Sequence, residues 1–165
     1  MKRFFVYLIL LLFAACQEQN TTTSSEPEVD MEESPTVYNE QLAKELGADD
    51  FGMRPYVMAF LKAGPNRGQD SLVAAELQKK HLENIGRMAE AGKLSIAGPF
   101  MDDGELRGIY IFNVKTVEEA KALTETDPAI QAGRLEMELH PWYGPAALMQ
   151  VLEMNKQLTK NSITE

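Results

Sequence analysis

The chain contains few of the residues on which disulfide, metal and nucleophile chemistry depend: of its 165 residues, one is cysteine and two are histidine. A single cysteine forms no intramolecular disulfide, so a folded domain must be held by its apolar core. The sequence also lacks a glycine-rich phosphate loop, a serine elbow, a His-x-x-x-His pair and a Cys-x-x-Cys pair. We therefore expect no nucleotide site, no hydrolase triad, no cofactor and no metal.

Long apolar runs are equally scarce. The one that is present follows Lys2 and Arg3 and extends over residues 4–15. As a helix, twelve residues span about 18 Å, which is shorter than the ~30 Å hydrocarbon core of a bilayer. The pattern predicts a signal peptide over residues 1–15 rather than a permanent transmembrane helix.

Cys16 follows this run directly, after two alanines. The arrangement resembles a bacterial lipobox, which implies that Cys16 is lipid-modified and anchors the protein to the membrane of the cell envelope. Because Gln17 rather than an aspartate comes next, we expect the outer membrane rather than the inner one. The alternative is an ordinary secretory signal that ends in a cysteine. A lipid-modified thiol would also be excluded as a catalytic nucleophile.

Most of the negative charge lies in one segment. The formal net charge is −9, and residues 17–50 contain ten acidic residues against one basic residue, whereas residues 51–165 contain 15 against 13. With its Thr, Ser, Glu and Pro content, the segment 16–50 is predicted to be the lipid-bearing cysteine and a disordered acidic tether, with one helical turn at 41–46. The rest has no basic stripe, so no nucleic-acid partner is expected.

The folded part is predicted to be one domain over residues 51–145, followed by a C-terminal helix and tail over residues 146–165. Alternating apolar residues predict strands at 56–62, 94–100, 106–114 and 134–140. Capping residues and apolar spacing predict helices at 70–91, 116–123 and 146–157, with a short turn or helix at 127–133. The order βαββαβ is that of a ferredoxin-like α+β fold.

Three details of this fold can be checked against a structure. The first helix has an apolar stripe with His81 at its edge, formed by Leu72, Ala75, Leu82, Ile85 and Ala89. Asp103-Gly104 predicts a tight hairpin turn with a positive φ. Finally, one sheet face has no helix to cover it, and apolar alternation at 56–62 and 135–139 predicts that this face is buried in a homodimer, as a dimeric α+β barrel.

A set of short motifs occurs in a characteristic order over residues 43–151: His81-Leu82, residues 90–94, residues 97–100, Asp103-Gly104, Arg107-Gly108, Asp127-Pro128 and Pro141-Trp142. In this order the chain resembles the YCII-related family of small α+β proteins. The resemblance implies a dimeric α+β barrel with a cavity between sheet and helices in each subunit. It also implies that His81 and Asp127 correspond to a proposed acid/base pair, and relatives on this fold include isomerases and dehydrohalogenase-like enzymes.

Each candidate residue also has an ordinary structural interpretation. His81 could accept a proton while the Asp127 carboxylate fixes its tautomer, but His81 could equally be a packing residue, and Asp127 could only cap the turn at Pro128. Arg107 could bind a substrate carboxylate or a developing oxyanion, or pair with a surface acid. His140 could line the cavity mouth or have a hydrogen-bonded structural role. We expect the His81–Asp127 pair to be partly exposed and to contribute little to stability.

Two functions remain open. The first is a lipid-anchored enzyme, isomerase-like or lyase-like, that performs cofactor-independent acid/base chemistry on a small organic molecule. The second is a non-catalytic envelope module that binds a small ligand or a partner. His81 and Asp127 within hydrogen-bond reach in one cavity would favour the enzyme.

Overall fold

The computed structural model describes residues 37–161. The predicted signal peptide, the lipidation of Cys16 and residues 16–36 of the predicted tether lie outside the described residues. The prediction of disorder was wrong for the rest of that segment, because Glu40–Leu46 form a capped helix and Arg54 donates to the Leu46 backbone oxygen at 2.7 Å. The strands are β1 (Met53–Ala63), β2 (Leu94–Pro99), β3 (Leu106–Phe112) and β4 (Leu135–Pro145). The helices are α1 (Glu40–Leu46), α2 (Ser71–Glu90), α3 (Val117–Thr124), α4 (Pro128–Gln131) and α5 (Val151–Leu158), and a 3₁₀ helix (Ala146–Gln150) precedes α5.

The four strands form one antiparallel sheet in the order β2-β3-β1-β4. The two central strands come from different halves of the chain, with the helices α2 and α3 as crossovers. This is the ferredoxin-like α+β fold that the element order predicts. β3 lies between β2 and β1, as its apolar residues on both alternations indicate.

The core lies on the face of the sheet that carries the helices. There, Val57, Ala59 and Leu61 of β1 pack with Tyr110 and Phe112 of β3. Met88 of α2 and, on α3 and α4, Ala120 and Ala129 complete the cluster. Because side chains alternate along a strand, the residues between these positions lie on the opposite face.

The ends of the helices are set by the residues that the sequence analysis singles out. The Asp70 side chain accepts the backbone N–H groups of Leu72 and Val73, and so caps α2. At the other end, Gly92 has a φ of +67°, which any residue with a Cβ would adopt at a cost. Thr116 and Glu119 form the predicted capping box of α3.

Two local predictions were wrong. Leu72 and Ala75 are exposed, and the buried residues of α2 are His81, Asn84 and Met88, so the buried stripe is centred on His81 rather than bordered by it. The histidine is tolerated there because it has buried polar partners, described below. Gly104 has no positive φ. The connection from β2 to β3 spans residues 100–105, which is long enough to make a tight two-residue turn unnecessary.

β4 is longer than predicted and continues through Pro141 to Pro145. It lies at the edge of the sheet and pairs with β1 along its entire length, from Ala63↔Leu135 to Met53↔Pro145. An edge strand tolerates proline because one side of its backbone needs no ladder partner. The predicted C-terminal helix begins as the 3₁₀ helix and becomes α-helical only at Val151.

The opposite face of the sheet has an apolar centre and a polar margin. By strand alternation and register, Phe60, Ile96, Ile109 and Ile111 share this face, whereas β4 contributes Glu136, Glu138 and His140 to it. Leu135, Met137 and Leu139 instead pack against the core, so the β4 half of the predicted apolar face was wrong. Between residues 37 and 161, no helix has the length and apolarity needed to cross a bilayer.

Candidate functional site

The central residue of the site is His81, which α2 holds against the sheet in its third turn. Only 6% of the residue is exposed. Its ring is stacked near Tyr110 of β3, with the ring centroids 6.3 Å apart and the planes inclined by 20°. The helix thus presents the imidazole to the core side of the sheet, where buried polar groups need partners.

Asp127 is the first of these partners. Its Oδ2 lies 2.6 Å from Nδ1 of His81, and the residue is fully buried. Its other oxygen, Oδ1, accepts the backbone N–H of Ala129 at 2.8 Å and caps α4. The carboxylate therefore caps the helix and contacts the histidine at once, so Asp127 is not only a cap, while its part in acid/base chemistry stays a prediction. The expectation of a partly exposed pair was wrong.

Tyr110 is the second partner, and the sequence analysis missed it. Its hydroxyl lies 3.4 Å from Nε2 of His81. The ring has room there because its neighbours across the sheet are alanines, Ala59 on β1 and Ala97 on β2. Burial, together with the Asp127 carboxylate, raises the pKa of Tyr110 well above its ordinary value of 10, so the hydroxyl is neutral and can donate. The alanines lie far away in sequence, and only the strand register brings them together.

These contacts assign the hydrogen positions of the histidine. A carboxylate accepts only, so Nδ1 is the ring nitrogen that donates to Asp127. Nε2 then has a free lone pair in neutral His81, and the Tyr110 hydroxyl donates weakly to it. A long, weak contact leaves that lone pair available to a stronger proton donor.

The site opens into a cavity of about 1420 Å³. Its walls come from α2, from β2 and β3, and from the α5 region, where Leu152 and Asn155 contribute. Both His81 and Tyr110 line this cavity. The cavity lies between sheet and helices, as the family resemblance implies, and the added C-terminal helix forms one of its walls.

Arg107 lines the same cavity. Its Nε is buried and has no hydrogen-bond partner among residues 37–161. Arg87, also on the wall, donates to Oδ1 of Asn84 at 2.5 Å and to Oγ1 of Thr126 at 2.8 Å, which ties α2 to the residue before Asp127. This contact helps to hold the Asp127 carboxylate beside the imidazole.

His140 is not brought to the cavity. It lies on the opposite face of the sheet, half-exposed, where its Nε2 meets Oε1 of Glu138 at 2.8 Å. Glu138 also pairs with Lys62 at 2.5 Å. The structure therefore places His81 and Arg107 on the wall of one cavity, with the buried Asp127 in contact with His81, and places the second histidine elsewhere. Within the described part of the chain, no three His, Cys, Asp or Glu side chains converge as a metal site would require.

The chain was compared with individual curated proteins and with individual solved structures. A search of curated proteins finds no match. Among solved structures, the chain is similar to 5-chloro-2-hydroxyhydroquinone dehydrochlorinase from Burkholderia phenoliruptrix AC1100, in complex with 2,5-dihydroxybenzoquinone. The TM-score is 0.41 and the identity 17%, over 52% of this chain and 92% of the other.

The family itself is given by a sequence model. The model of the YCII-related domain matches residues 56–143, from Tyr56 in β1 to Tyr143 near the end of β4. That range contains the complete sheet region around His81, Tyr110 and Asp127 and more than half of the chain. This protein is a member of the YCII-related family.

Proposed function

We propose that the protein is an enzyme that performs cofactor-independent proton transfer on a small organic molecule, leading to isomerisation or elimination. The observation that carries the proposal is the buried 2.6 Å contact between His81 and Asp127 beside a cavity. A carboxylate that holds one imidazole nitrogen directs the other toward the ligand space, and this is the arrangement that general acid–base catalysis needs.

The reaction begins when Nε2 of His81 takes a proton from a carbon acid in the cavity. The C–H electron pair moves into an adjacent carbonyl to give an enolate, or it expels a leaving group. Asp127 remains ionised and stabilises the imidazolium through Nδ1–H. In isomerisation, His81 returns the proton to a different atom of the substrate. In elimination, it releases the proton to solvent.

Tyr110 has a defined part in this step. Once Nε2 is protonated, it becomes a donor, so the hydrogen bond between His81 and Tyr110 reverses and the tyrosine oxygen accepts. The hydroxyl proton is then free to bond to a developing oxyanion on the substrate. Stabilisation of that charge by a preorganised donor in a sheltered site lowers the barrier further.

A non-catalytic binding module is the second candidate, and one observation favours it. The Tyr110 hydroxyl already occupies the direction of the Nε2 lone pair, as it would in a purely structural network. Binding without turnover would then be expected. The two functions differ in a measurable quantity, namely the exchange of substrate protons with solvent.

The test uses the purified full-length protein with lactones, aryl keto acids and halogenated phenols in D₂O. We expect His81-dependent incorporation of deuterium, seen by proton NMR, or release of halide, seen by ion chromatography. A compound that binds, and yet exchanges at the same rate with wild-type protein and with His81→Gln, would support the binding module.

We further propose that Cys16 is lipid-modified and anchors the protein to the outer membrane of a bacterial envelope. Support comes from the sequence alone, through the apolar run over residues 4–15 and the alanines before Cys16. In cells fed a labelled fatty acid, the wild-type protein should be labelled and Cys16→Ser should not. Equal labelling of both proteins would refute the anchor.

We also propose a homodimer formed through the sheet face opposite the core. The apolar residues of β1, β2 and β3 on that face would lie at its centre, and the polar row of β4 at its rim. Light scattering should give twice the monomer mass, and Ile109→Glu should give a monomer. A wild-type monomer at micromolar concentration would overturn this proposal.

A further inference from the structure

The cavity beside His81 contains most of the arginines that the structure describes. Four of the five in residues 37–161 line it, namely Arg67, Arg87, Arg107 and Arg134. None of the four lies within 4.0 Å of a carboxylate of the described residues. In a chain with 25 acidic and 16 basic residues, unpaired guanidinium groups are not expected to collect in one place.

The cavity wall as a whole carries a net positive charge. Besides the arginines, Lys156 and Lys160 line the cavity, whereas Glu83 and Glu90 are its only lining carboxylates among the described residues. Lys156 is paired with Glu153. The wall is thus positive in a protein whose net charge is −9, and it attracts anions.

Three of the arginines lie near the same end of the sheet. Gly108 pairs with Leu61 and Leu135 with Ala63, so Arg107 and Arg134 stand on either side of the end of β1. The loop after β1 brings Arg67 to the same place, where its Nη1 donates to the backbone oxygen of Arg134 at 3.2 Å. The loop can approach so closely because Gly64 has no side chain, and a Cβ there would overlap the Gly133 carbonyl.

The partners that these arginines have are neutral or absent. Nη1 of Arg134 donates to Oε1 of Gln69 at 2.6 Å, and the buried Nε of Arg107 has no acceptor in the described chain. A buried donor without an acceptor is unfavourable, and a bound oxyanion would supply one. Guanidinium groups bind carboxylates and phosphates through two parallel hydrogen bonds, which orients the ligand as well as attracting it.

The rest of the wall is apolar near the histidine. Leu61, Leu82, Ile85 and Leu94 line it. Tyr110 is two residues beyond Gly108 on β3 and on the same face, about 7 Å away at the usual rise per residue. An apolar ligand body of one or two rings would therefore reach from the arginines to Nε2 of His81.

We propose that Arg67, Arg107 and Arg134 form an anion subsite that holds the carboxylate or phosphate of a small organic acid while its apolar body lies against α2 beside His81. The subsite defines the substrates of the proposed enzyme as small organic acids, and in that respect the inference rests on the proposed function. Binding of the anion, however, requires the arginines and not the chemistry of His81.

The experiment measures the affinity of the purified full-length protein for three probes by calorimetry: 2-naphthoate, its neutral isostere 2-naphthamide, and 2-naphthyl phosphate. We expect one or both anions to bind at least about tenfold more tightly than the amide, and their affinity to fall with added salt. A carboxylate site prefers naphthoate, and a phosphate site prefers the naphthyl phosphate. Amide binding equal to that of both anions would overturn the proposal.

Variants then locate the binding. Arg107→Gln should weaken binding of the preferred anion about tenfold or more and leave amide binding unchanged, and Arg107→Lys should recover part of the loss. The matched control is Lys121→Gln, which removes one exposed positive charge outside the cavity. Arg134→Gln is a second test and should also weaken binding of the preferred anion. If this variant does not fold, because the contact between Arg134 and Gln69 is lost, Arg67→Gln takes its place. Equal effects of Arg107→Gln and Lys121→Gln would refute the subsite.

One further variant separates the two proposals. His81→Gln should bind the preferred anion within about threefold of wild type, since the subsite lies at the end of β1. Arginine-dependent anion binding without any proton exchange would reject the enzyme and retain the subsite. His81-dependent exchange on neutral substrates, with no arginine dependence, would reject the subsite and retain the enzyme.

Discussion

The two histidines of this protein each meet a carboxylate, on opposite faces of the same sheet. His81 and Asp127 are 2.6 Å apart, with 8% and 0% of their side chains exposed, whereas His140 and Glu138 are 2.8 Å apart, with 50% and 45% exposed. The chemical groups are the same. Their surroundings differ, because His81 lines a cavity with Asp127 buried beside it, whereas Glu138 is exposed and also pairs with Lys62. The comparison teaches that burial, more than distance, separates a candidate acid/base pair from a surface contact.

The strongest way to break this comparison is to remove each histidine in turn. His81→Gln should lower the rate of substrate proton exchange by about 10²–10⁴-fold, because a positioned base contributes that much to catalysis. His140→Gln should change the rate by less than about twofold, since His140 lies on the other face. Both rates are measured by deuterium incorporation under identical conditions. Similar losses in the two variants would show that the cavity is not where the chemistry occurs.

A subtler change keeps the shape of Asp127 and alters only its hydrogen bonding. Asp127 uses both oxygens as acceptors, but Asn has one acceptor and one donor group. In Asp127→Asn the oxygen should continue to cap Ala129, since Asn caps almost as well as Asp, and the NH₂ then faces Nδ1. His81 would be forced into the tautomer with its proton on Nε2, where it cannot accept one.

We therefore expect Asp127→Asn to reduce exchange by about 10²-fold or more, with the fold preserved. Nitrogen NMR of the His81 ring should show the change of tautomer directly. Glu138→Gln is the matched control and should leave the His81 spectrum and the exchange rate unchanged. A wild-type tautomer in Asp127→Asn, with full activity, would mean that Asp127 acts only as a helix cap.

Stability provides a third comparison of the two carboxylates. Asp127→Ala removes the acceptor for Nδ1 of His81 and the cap of α4 in a buried place, and should lower the free energy of unfolding by about 3 kcal/mol. Glu138→Ala should have no measurable effect, because exposed pairs are weak. Urea unfolding followed by circular dichroism measures both. If Asp127→Ala lowers the free energy of unfolding only slightly, water must enter the site and replace the lost acceptor.

The sequence was a good guide to whatever depends on neighbouring residues. Asp70, Gly92 and the Thr116 capping box set helix ends through contacts within four residues, and alternation located the four strands along the chain. The pairing of His81 with Asp127 came from the family resemblance and not from the residues alone. Asp127 is 46 residues from His81, and no local pattern links them.

What the sequence could not supply depends on register between distant strands. Tyr110 became part of the site because Ala59 and Ala97 flank it, and the arginine subsite depends on where β1 ends relative to β3 and β4. The extension of β4 beyond Pro141 was missed for a related reason. Proline ends most strands, and only the edge position of β4 makes it acceptable there.

The smallest predicted effect concerns the exposed pair of His140 and Glu138, and it is measured as a change in the pKa of Glu138. Lys62 donates to Glu138, and His140 adds a second hydrogen bond, so the pKa of Glu138 lies below its ordinary value of 4.5. A lowered pKa in the folded state means that this carboxylate stabilises the fold above about pH 4.5 and loses that contribution as the pH falls through the folded pKa. Since the group is exposed, 1 M salt, with a Debye length of about 3 Å, should move the pKa back toward 4.5, and Lys62→Gln should do the same. Carbon NMR of the Glu138 carboxyl follows the titration. If the pKa of Glu138 does not change with salt, then Glu136, Glu138 and His140 are shielded from solvent, as they would be inside an interface. The difference in exposure between the two His–carboxylate pairs, on which the comparison depends, would then be absent.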